Sequence, residues 1–441
     1  MSKLRYSKVT YKGKPCFEMT GISCPICNSL GWCLITEEQT EVICMRRVDD
    51  DLPSLMGGTI YRLTENKVKV EDVDWNYQEG EKLQPANILH KVYSLVATVL
   101  GLTDSHKAHL MTERGLSEET IRLRGYFSIG MTNAKNQINQ QRNGSIWEQL
   151  FVSNGLPADV WKGVPGFYLE ERGNVQTPMF IYDKEGICIP CRNSWGQIVS
   201  LQVRIDTENI KTYMRFDTNS KIKYFGLVKK TEAGYEYEIG DNFNVVAKGV
   251  TEYKEFVFVH NNREVLVKIQ ETPKYLFVTS INKKNGTSAS SQPHFAYTDD
   301  ILSKARFDDK GFAKVNLFKL MNKKSVIITE GLLKGDIIAA HLSDTKLGKL
   351  ASLVVSIAGV NVWERASYQL KKEKVERIFS AFDQDFVEND AVYKNMVDMI
   401  TNFNQSGVET FALTWEVGKG LDDSILAQAS EEEKGYLIHR Y

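Results

Sequence analysis

The chain has 441 residues, of which 42% are hydrophobic and 25% charged, and its 55 Lys and Arg balance 56 Asp and Glu. This is the composition of a soluble globular protein, with material for about two to four domains of roughly 100–200 residues each. No apolar run approaches the roughly 20 residues that span a bilayer, which excludes a helical membrane protein; the near-zero net charge neither supports nor excludes nucleic acid, because a binding groove needs only a local basic patch.

The amino terminus, MSKLRYSKVTYKGK, is basic but lacks the apolar core of a secretory signal. A cytoplasmic location with no membrane partner is therefore expected, and thiols stay reduced there. Five of the seven cysteines fall between Cys16 and Cys44, a crowding that asks for a metal. Residues 1–70 read as a zinc ribbon of short β pieces. Cys24 and Cys27, two residues apart, can grip one tetrahedral Zn2+; Cys33 and Cys44 can complete a four-sulfur site, and Cys16 is a spare that could replace Cys33. A closed four-sulfur site is structural, and it stabilises a segment too small to fold on its own core. Beside it, Arg46, Arg47 and Trp32 combine charge with a stacking surface, which suits single-stranded nucleic acid as well as it suits plain surface packing. The second Cys-x-x-Cys, Cys188 to Cys191, lies in a β run with no further ligand nearby and reads as two strand residues.

The polar stretch Glu71–Lys82 reads as a linker. Residues 83–163 form a helical linker domain, with Ile88, Leu89, Val92, Leu95, Val96 and Val99 at helix spacing. A second helix starts near Ser117, an N-cap followed by Glu118 and Glu119, so that Met111–Tyr126 reads as a small helix-turn-helix packed on the first helix, either a structural linker or a segment that touches DNA. Residues 164–320 are strand-rich and mostly antiparallel, and INKKNGTSASSQ, with few apolar residues, is expected to be a mobile loop. In 321–441 strands and helices alternate: SVIIT, LLKGDIIAAHL, SLVVSIA, a helix near Val362–Leu370, RIFSAF, AVYKNMVDMITNF and TFALTWEV. That alternation predicts a parallel α/β sheet. The fold class expected is α+β multidomain: zinc ribbon, helical linker, mixed α/β subdomain and C-terminal parallel sheet.

Three acidic clusters follow three of those strands. Glu330 ends SVIIT and precedes Gly331, where the chain must turn into a helix; Asp383 and Asp385 follow RIFSAF; Asp422 and Asp423 follow TFALTWEV. Strand carboxyl ends of a parallel sheet share one edge, where active sites form. Acids gathered there repel one another, and Mg2+ is the simplest compensation because it prefers carboxylate oxygens and bridges phosphates.

VIITEGLLKGD, FSAFDQD and KGLDD resemble the Toprim domain shared by DnaG-type primases, topoisomerases and some nucleases. CPICNSLGWC with VICMR, HLMTERGLSEETIRLRGY, GICIPCRNSWGQIVSLQVRID and KYLFVTSINKKNGTSASS are similar to zinc-ribbon Toprim primases of phages, plasmids and mobile elements. The resemblance covers most of the chain in order. It implies a DNA primase that makes short primers on single-stranded DNA from nucleoside triphosphates, with Mg2+ or Mn2+ as catalytic ion and zinc as structural ion. Asp383, Asp385 and Asp422 or Asp423 would be metal ligands, and Glu330 a ligand or a proton acceptor. Arg192, Arg204 and Lys274 match basic positions that neutralise phosphate. Lys334 stands where many Toprim primases carry an acid; it reads as a variant and joins the nucleotide-binding set. Residues from about 211 to 270 match poorly and read as an insertion that binds a partner. The chain ends soon after KGLDD, so a replicative helicase, and a polymerase to extend the product, are expected as separate proteins. A Toprim nuclease and a non-catalytic single-strand-binding accessory protein are the alternatives.

Overall fold

A computed structural model describes residues 4–12, 14–20, 22–27, 32–47, 52–55, 58–63, 73–74, 83–130, 146–172, 175–181, 183–217, 224–241, 244–289, 291–359, 362–384 and 390–440. Asp385 and, apart from 73–74, the linker stretch 71–82 lie outside them. No described helix is long and apolar enough to cross a membrane.

The first unit is a seven-stranded sheet of β1 (Leu4–Tyr11), β2 (Lys14–Glu18), β3 (Leu34–Thr36), β4 (Glu41–Cys44), β5 (Ser54–Leu55), β6 (Gly58–Arg62) and β7 (Val73–Asp74). β7 comes from the expected linker and pairs in parallel with β1, so two of its residues belong to the sheet. The apolar core is small, built on Leu4, Phe17, Met19, Ile35 and Val42, with three of the clustered cysteines buried among them.

Three helices follow: α1 (Ala86–Leu100), α2 (Asp104–Thr112) and α3 (Glu118–Arg124). Ser117 caps α3 as expected, its hydroxyl accepting from the Thr120 amide at 3.0 Å, and Gly125 at φ 75° ends it. α1 turns Leu89, Val92, Tyr93 and Val96 onto a core shared with β8 (Phe127–Ile129), α4 (Ile146–Ser153), the hairpin β9 (Phe167–Arg172) and β10 (Val175–Phe180), β11 (Gly186–Arg192) and β12 (Ile198–Ile205). Cys188 and Cys191 are buried residues of β11.

The segment expected to be an insertion forms two three-stranded antiparallel sheets. One is β13 (Thr212–Asp217), β17 (Glu255–His260) and β18 (Arg263–Glu271); the other is β14 (Tyr224–Thr231), β15 (Gly234–Asp241) and β16 (Asn244–Thr251). Aromatic pairs such as Tyr237–Phe256, 4.7 Å between centroids, join them. The chain then returns to β12 through β19 (Tyr275–Phe277). The loop after β19 is not the free segment its composition suggests. Leu169 N donates to Lys284 O at 2.8 Å, Ser280 N donates to Thr287 O at 3.0 Å, and Thr287 is buried. Backbone and hydroxyl hydrogen bonds hold it where apolar contacts are few.

The last sheet contains β20 (His294–Tyr297), β21 (Ser325–Glu330), β22 (Leu353–Ile357), β23 (Arg377–Ser380), β24 (Glu409–Thr414) and β25 (Leu437–Arg440), in the order β20-β22-β21-β23-β24-β25. The inner four are parallel, as the alternation predicts, while both edges are antiparallel, so the sheet is mixed. The edge strand β20 comes from before residue 321, followed by a short helix, α5 (Asp299–Leu302). The connections are α6 (Leu332–His341), α7 (Trp363–Lys372), α8 (Asp390–Gln405) and α9 (Leu421–Leu426). Val326 and Ile328 face a core completed by α7 and α8, whereas Ile327 faces one completed by α6 and α9. A sheet covered on both faces needs such unbroken apolar runs.

Candidate catalytic rim and four-cysteine centre

The sulfurs of Cys24, Cys27, Cys33 and Cys44 lie within 4.8 Å of one another. The Cys27–Cys33 and Cys33–Cys44 separations are 3.6 and 3.9 Å. A tetrahedron with Zn–S bonds of about 2.3 Å has corners about 3.8 Å apart, so the cluster fits a structural zinc ion. Cys16 is elsewhere, in β2 opposite Thr36, where burial pushes its thiol up to about 11. The choice between Cys16 and Cys33 therefore falls to Cys33.

At the other end of the chain, register fixes the edge. Glu330 pairs with Ile357 and Ile328 with Ser380, so Glu330 and Asp383 leave adjacent parallel strands at the same end. Thr329 Oγ1 donates to Ala381 O at 2.9 Å and ties the two strand ends together. Gly331, at φ 87°, makes the turn into α6 that a residue with a Cβ would adopt only under strain. In the first turn of α6, Lys334 Nζ donates to Asp383 Oδ1 at 2.5 Å. Lys419 Nζ lies 3.7 Å from the other Asp383 oxygen. Asp422 and Asp423 begin α9, after the parallel strand β24, and so reach the same edge.

Gly420 marks the point of convergence. A Cβ there would lie 2.4 Å from Asp422 Oδ1, 3.2 Å from Lys334 Nζ and 3.3 Å from Asp383 Oδ1. Asp422 is 2% exposed, and its Oδ1 is buried without a hydrogen-bond partner. Burial pushes the Asp422 carboxyl above its ordinary range, helped by Asp423 and Asp383 and opposed by Lys334. Burial alone would lower the Lys334 ammonium, but its hydrogen bond to Asp383 and the charges of Asp422, Asp383 and Asp423 hold it above its ordinary value. Among the described residues, the four cysteines are the one group of three or more metal-ligating atoms within 4.8 Å. An ammonium, that of Lys334, stands among the rim carboxylates.

The basic residues divide. Arg204 and Lys274 are neighbours: Lys274 is held below its ordinary value by burial and by the charges of Arg204 and Arg114. Tyr275, raised by burial and acted on by Arg114 and Arg204, stands opposite Arg204 and packs on the core that Leu332 and Leu333 of α6 enter. Arg192 is turned inward. It is 8% exposed, its Nη1 donates to Gly196 O at 2.8 Å and its Nη2 to Arg124 O at 3.0 Å, and burial brings its guanidinium down to about 10. Its guanidinium is thus directed to backbone carbonyls. Arg114, Lys419 and Tyr275 were missed by sequence reasoning; the lysine of KGLDD was the one available signal.

Trp32 of the ribbon meets the first turn of α7, on whose charges Arg46 and Arg47 also act. Arg365 lies 5.1 Å from the Trp32 ring centroid, and Arg365 Nη1 donates to Ser291 O at 2.9 Å. Burial pushes the neighbouring Glu364 carboxyl up to about 7 against the pull of Arg46 and Arg47. That turn follows the carboxyl end of β22, so the ribbon touches the same edge as the rim.

The chain is thus a mixed α/β multidomain protein with a structural four-cysteine centre and an acidic rim on the carboxyl edge of a largely parallel sheet. No protein-family model matches it, and no curated protein matches it. Among solved structures it is similar to a DNA primase domain from Pseudomonas aeruginosa, with a TM-score of 0.40 and 13% identity over 81% of this chain and 80% of that one. It is also similar to the zinc-binding and RNA polymerase domains of Aquifex aeolicus primase, with a TM-score of 0.41 and 10% identity over 98% and 81%. A third, the DnaG primase catalytic domain bound to single-stranded DNA, has a TM-score of 0.39 and 10% identity over 78% and 76%.

Proposed function

We propose that the chain is a DNA primase of the zinc-ribbon Toprim type, serving a phage or mobile element and synthesising short primers on single-stranded DNA from nucleoside triphosphates. The observation that carries this reading is the convergence of Asp383, Asp422 and Lys334 on Gly420, at the strand edge that also bears Glu330, with one buried carboxylate oxygen left bare. An all-oxygen donor set with an unsatisfied oxygen fits Mg2+ or Mn2+. Glu330, Asp383, Asp385, Asp422 and Asp423 would hold the ions, which, when bound, would activate a 3′-hydroxyl and stabilise the leaving pyrophosphate. Arg204 and Lys274, with Arg114, would neutralise template or nucleotide phosphates next to the rim. Glu330, on the neighbouring strand end, would serve as ligand or take the hydroxyl proton.

Initiation must order two nucleotides without a primer end, and a ribbon held at the rim lowers that entropic cost. Trp32, Arg46 and Arg47 would stack on and pair with the template there. A replicative helicase and an extending polymerase would be partners in trans. To test the reading, purified zinc-loaded protein is incubated with single-stranded DNA, labelled nucleotides and Mg2+ or Mn2+. Short products should form and should vanish in Asp383→Ala and Glu330→Ala. Shortening of the template would replace the reading with a nuclease, and binding without either product would replace it with an accessory protein.

A further inference from the structure

We propose that Lys334 is the resident cation of the acid rim and exchanges with a divalent ion, its ammonium passing from Asp383 to the polyphosphate of the incoming nucleotide. This rests on the primase reading of the rim and deepens it by giving one residue a task in both metal and nucleotide binding.

The charges around Gly420 are unevenly matched. Asp383 has two lysines, Lys334 at 2.5 Å on one oxygen and Lys419 at 3.7 Å on the other. Asp423 Oδ2 accepts from Gly420 N at 3.1 Å and is used in the turn. Asp422, more deeply buried than either, has a bare Oδ1. An ammonium has three donors, yet the hydrogen bond from Lys334 within the rim goes to Asp383. Both lysine charges thus lie on Asp383 and neither hydrogen-bonds Asp422 Oδ1, and a divalent ion bridging Asp422 and Asp383 Oδ1 would displace the Lys334 ammonium.

The two partners differ in freedom to move. The Lys334 side chain is 31% exposed on a four-carbon stem, whereas Asp422 is 2% exposed. The carboxylate is the fixed part and the lysine the movable one. The lysine also has a destination. Arg204 stands opposite Tyr275 across β12 and β19, and Tyr275 packs on the core that α6 enters through Leu332, Leu333 and Ile337, so the arginine side borders the helix of Lys334. Arg114 and Arg204 both act on the Tyr275 hydroxyl. A third cation beside two arginines is repelled unless an anion lies among them. The anion that suits three clustered cations next to a divalent ion is a nucleotide polyphosphate. Nucleotide and metal would therefore favour each other through this one side chain, a reciprocal coupling of two binding equilibria.

The test uses full-length, zinc-loaded protein, so that the cysteines do not compete for the probe. Mn2+ alone is titrated by electron paramagnetic resonance, and α,β-methylene ATP is titrated at saturating Mn2+, for the wild type, Lys334→Met and Lys334→Arg. Lys334→Met should bind Mn2+ about tenfold or more tightly and the nucleotide analogue about tenfold or more weakly, while Lys334→Arg stays near the wild type in both. Thermal unfolding of each variant confirms that it is folded, and Lys334→Arg keeps the comparison available should Lys334→Met melt early. Unchanged Mn2+ affinity in folded Lys334→Met, or a parallel loss of both ligands, overturns the exchange while leaving the metal rim in place. Absence of Mn2+ binding in wild type, Lys334→Met and Asp383→Ala alike would instead overturn the metal rim itself.

Discussion

Asp336 stands two residues beyond Lys334 on α6 and faces the interior instead of the rim. Arg124 Nη1 reaches its Oδ1 at 2.5 Å, His294 Nε2 lies 3.0 Å from the same oxygen, and the Tyr126 hydroxyl donates to Oδ2 at 2.7 Å. Burial alone would raise this carboxyl, but the Arg124 guanidinium and then His294 outweigh it and hold the group well below the usual carboxylate range. Asp336→Asn would leave Arg124 buried with only the partly exposed Asp299 as counter-charge, at a cost of about 3–5 kcal/mol in denaturant unfolding. The same group sets an acid limit. Its folded value lies below its unfolded value of about 3.9, so its stabilisation is fully present above that pH and is lost as pH falls through the folded value. Urea midpoints measured from pH 7 downward should drop below about pH 4 in the wild type and more shallowly in Asp336→Asn. Equal slopes would mean that the network carries no net charge-dependent stabilisation.

At the level of elements, the rim depends on how closely α6 lies on the sheet. A Cβ at Gly335 would meet Ser356 Oγ at 1.7 Å, and that hydroxyl is buried without a hydrogen-bond partner. Gly335→Ala should therefore destabilise by about 1–3 kcal/mol, and adding Ser356→Ala, which removes the obstructing atom, should restore most of the loss. A double-mutant cycle by thermal unfolding reads this directly, and strict additivity would count against close packing at this point. Such features mark what was legible in the sequence. Alternating apolar runs, the Gly after Glu330, the Ser117 cap and the spacing of four cysteines are local signals, and each led to the element the structure contains. Long-range pairing was less legible. His294–Tyr297 reads as one more strand until β22 is known to be its neighbour, and Val73–Asp74 reads as linker until β1 is. Charged side chains were the least legible, because sequence gives an arginine or lysine its charge but not its direction. Arg192 turns to backbone carbonyls, and Lys334 reaches back across the rim.

For the whole molecule, the question is how independent its two ends are. The ribbon core of Leu4, Phe17, Met19, Ile35 and Val42 is separate from the cores on either face of the last sheet. Its connection to α7 includes the cation–π pair Trp32 and Arg365 and the acid Glu364, on which the charges of Arg46 and Arg47 act. A core that small supplies little folding energy, whereas structural zinc contributes about 10–16 kcal/mol in isolated zinc-finger peptides. Zinc removal, by chelation or by Cys24→Ser, should therefore unfold the ribbon and spare the rest. In hydrogen exchange followed by mass spectrometry, amides of β3 and β4 should lose their protection, while those of β21 and β23, which lie in the double-faced core, should keep theirs. Loss of protection in both regions would mean that the ribbon is part of one cooperative unit with the sheet. Retained protection in β4 after zinc loss, confirmed by metal analysis, would mean that the apolar contacts alone hold the ribbon and that the four sulfurs are not its organising centre.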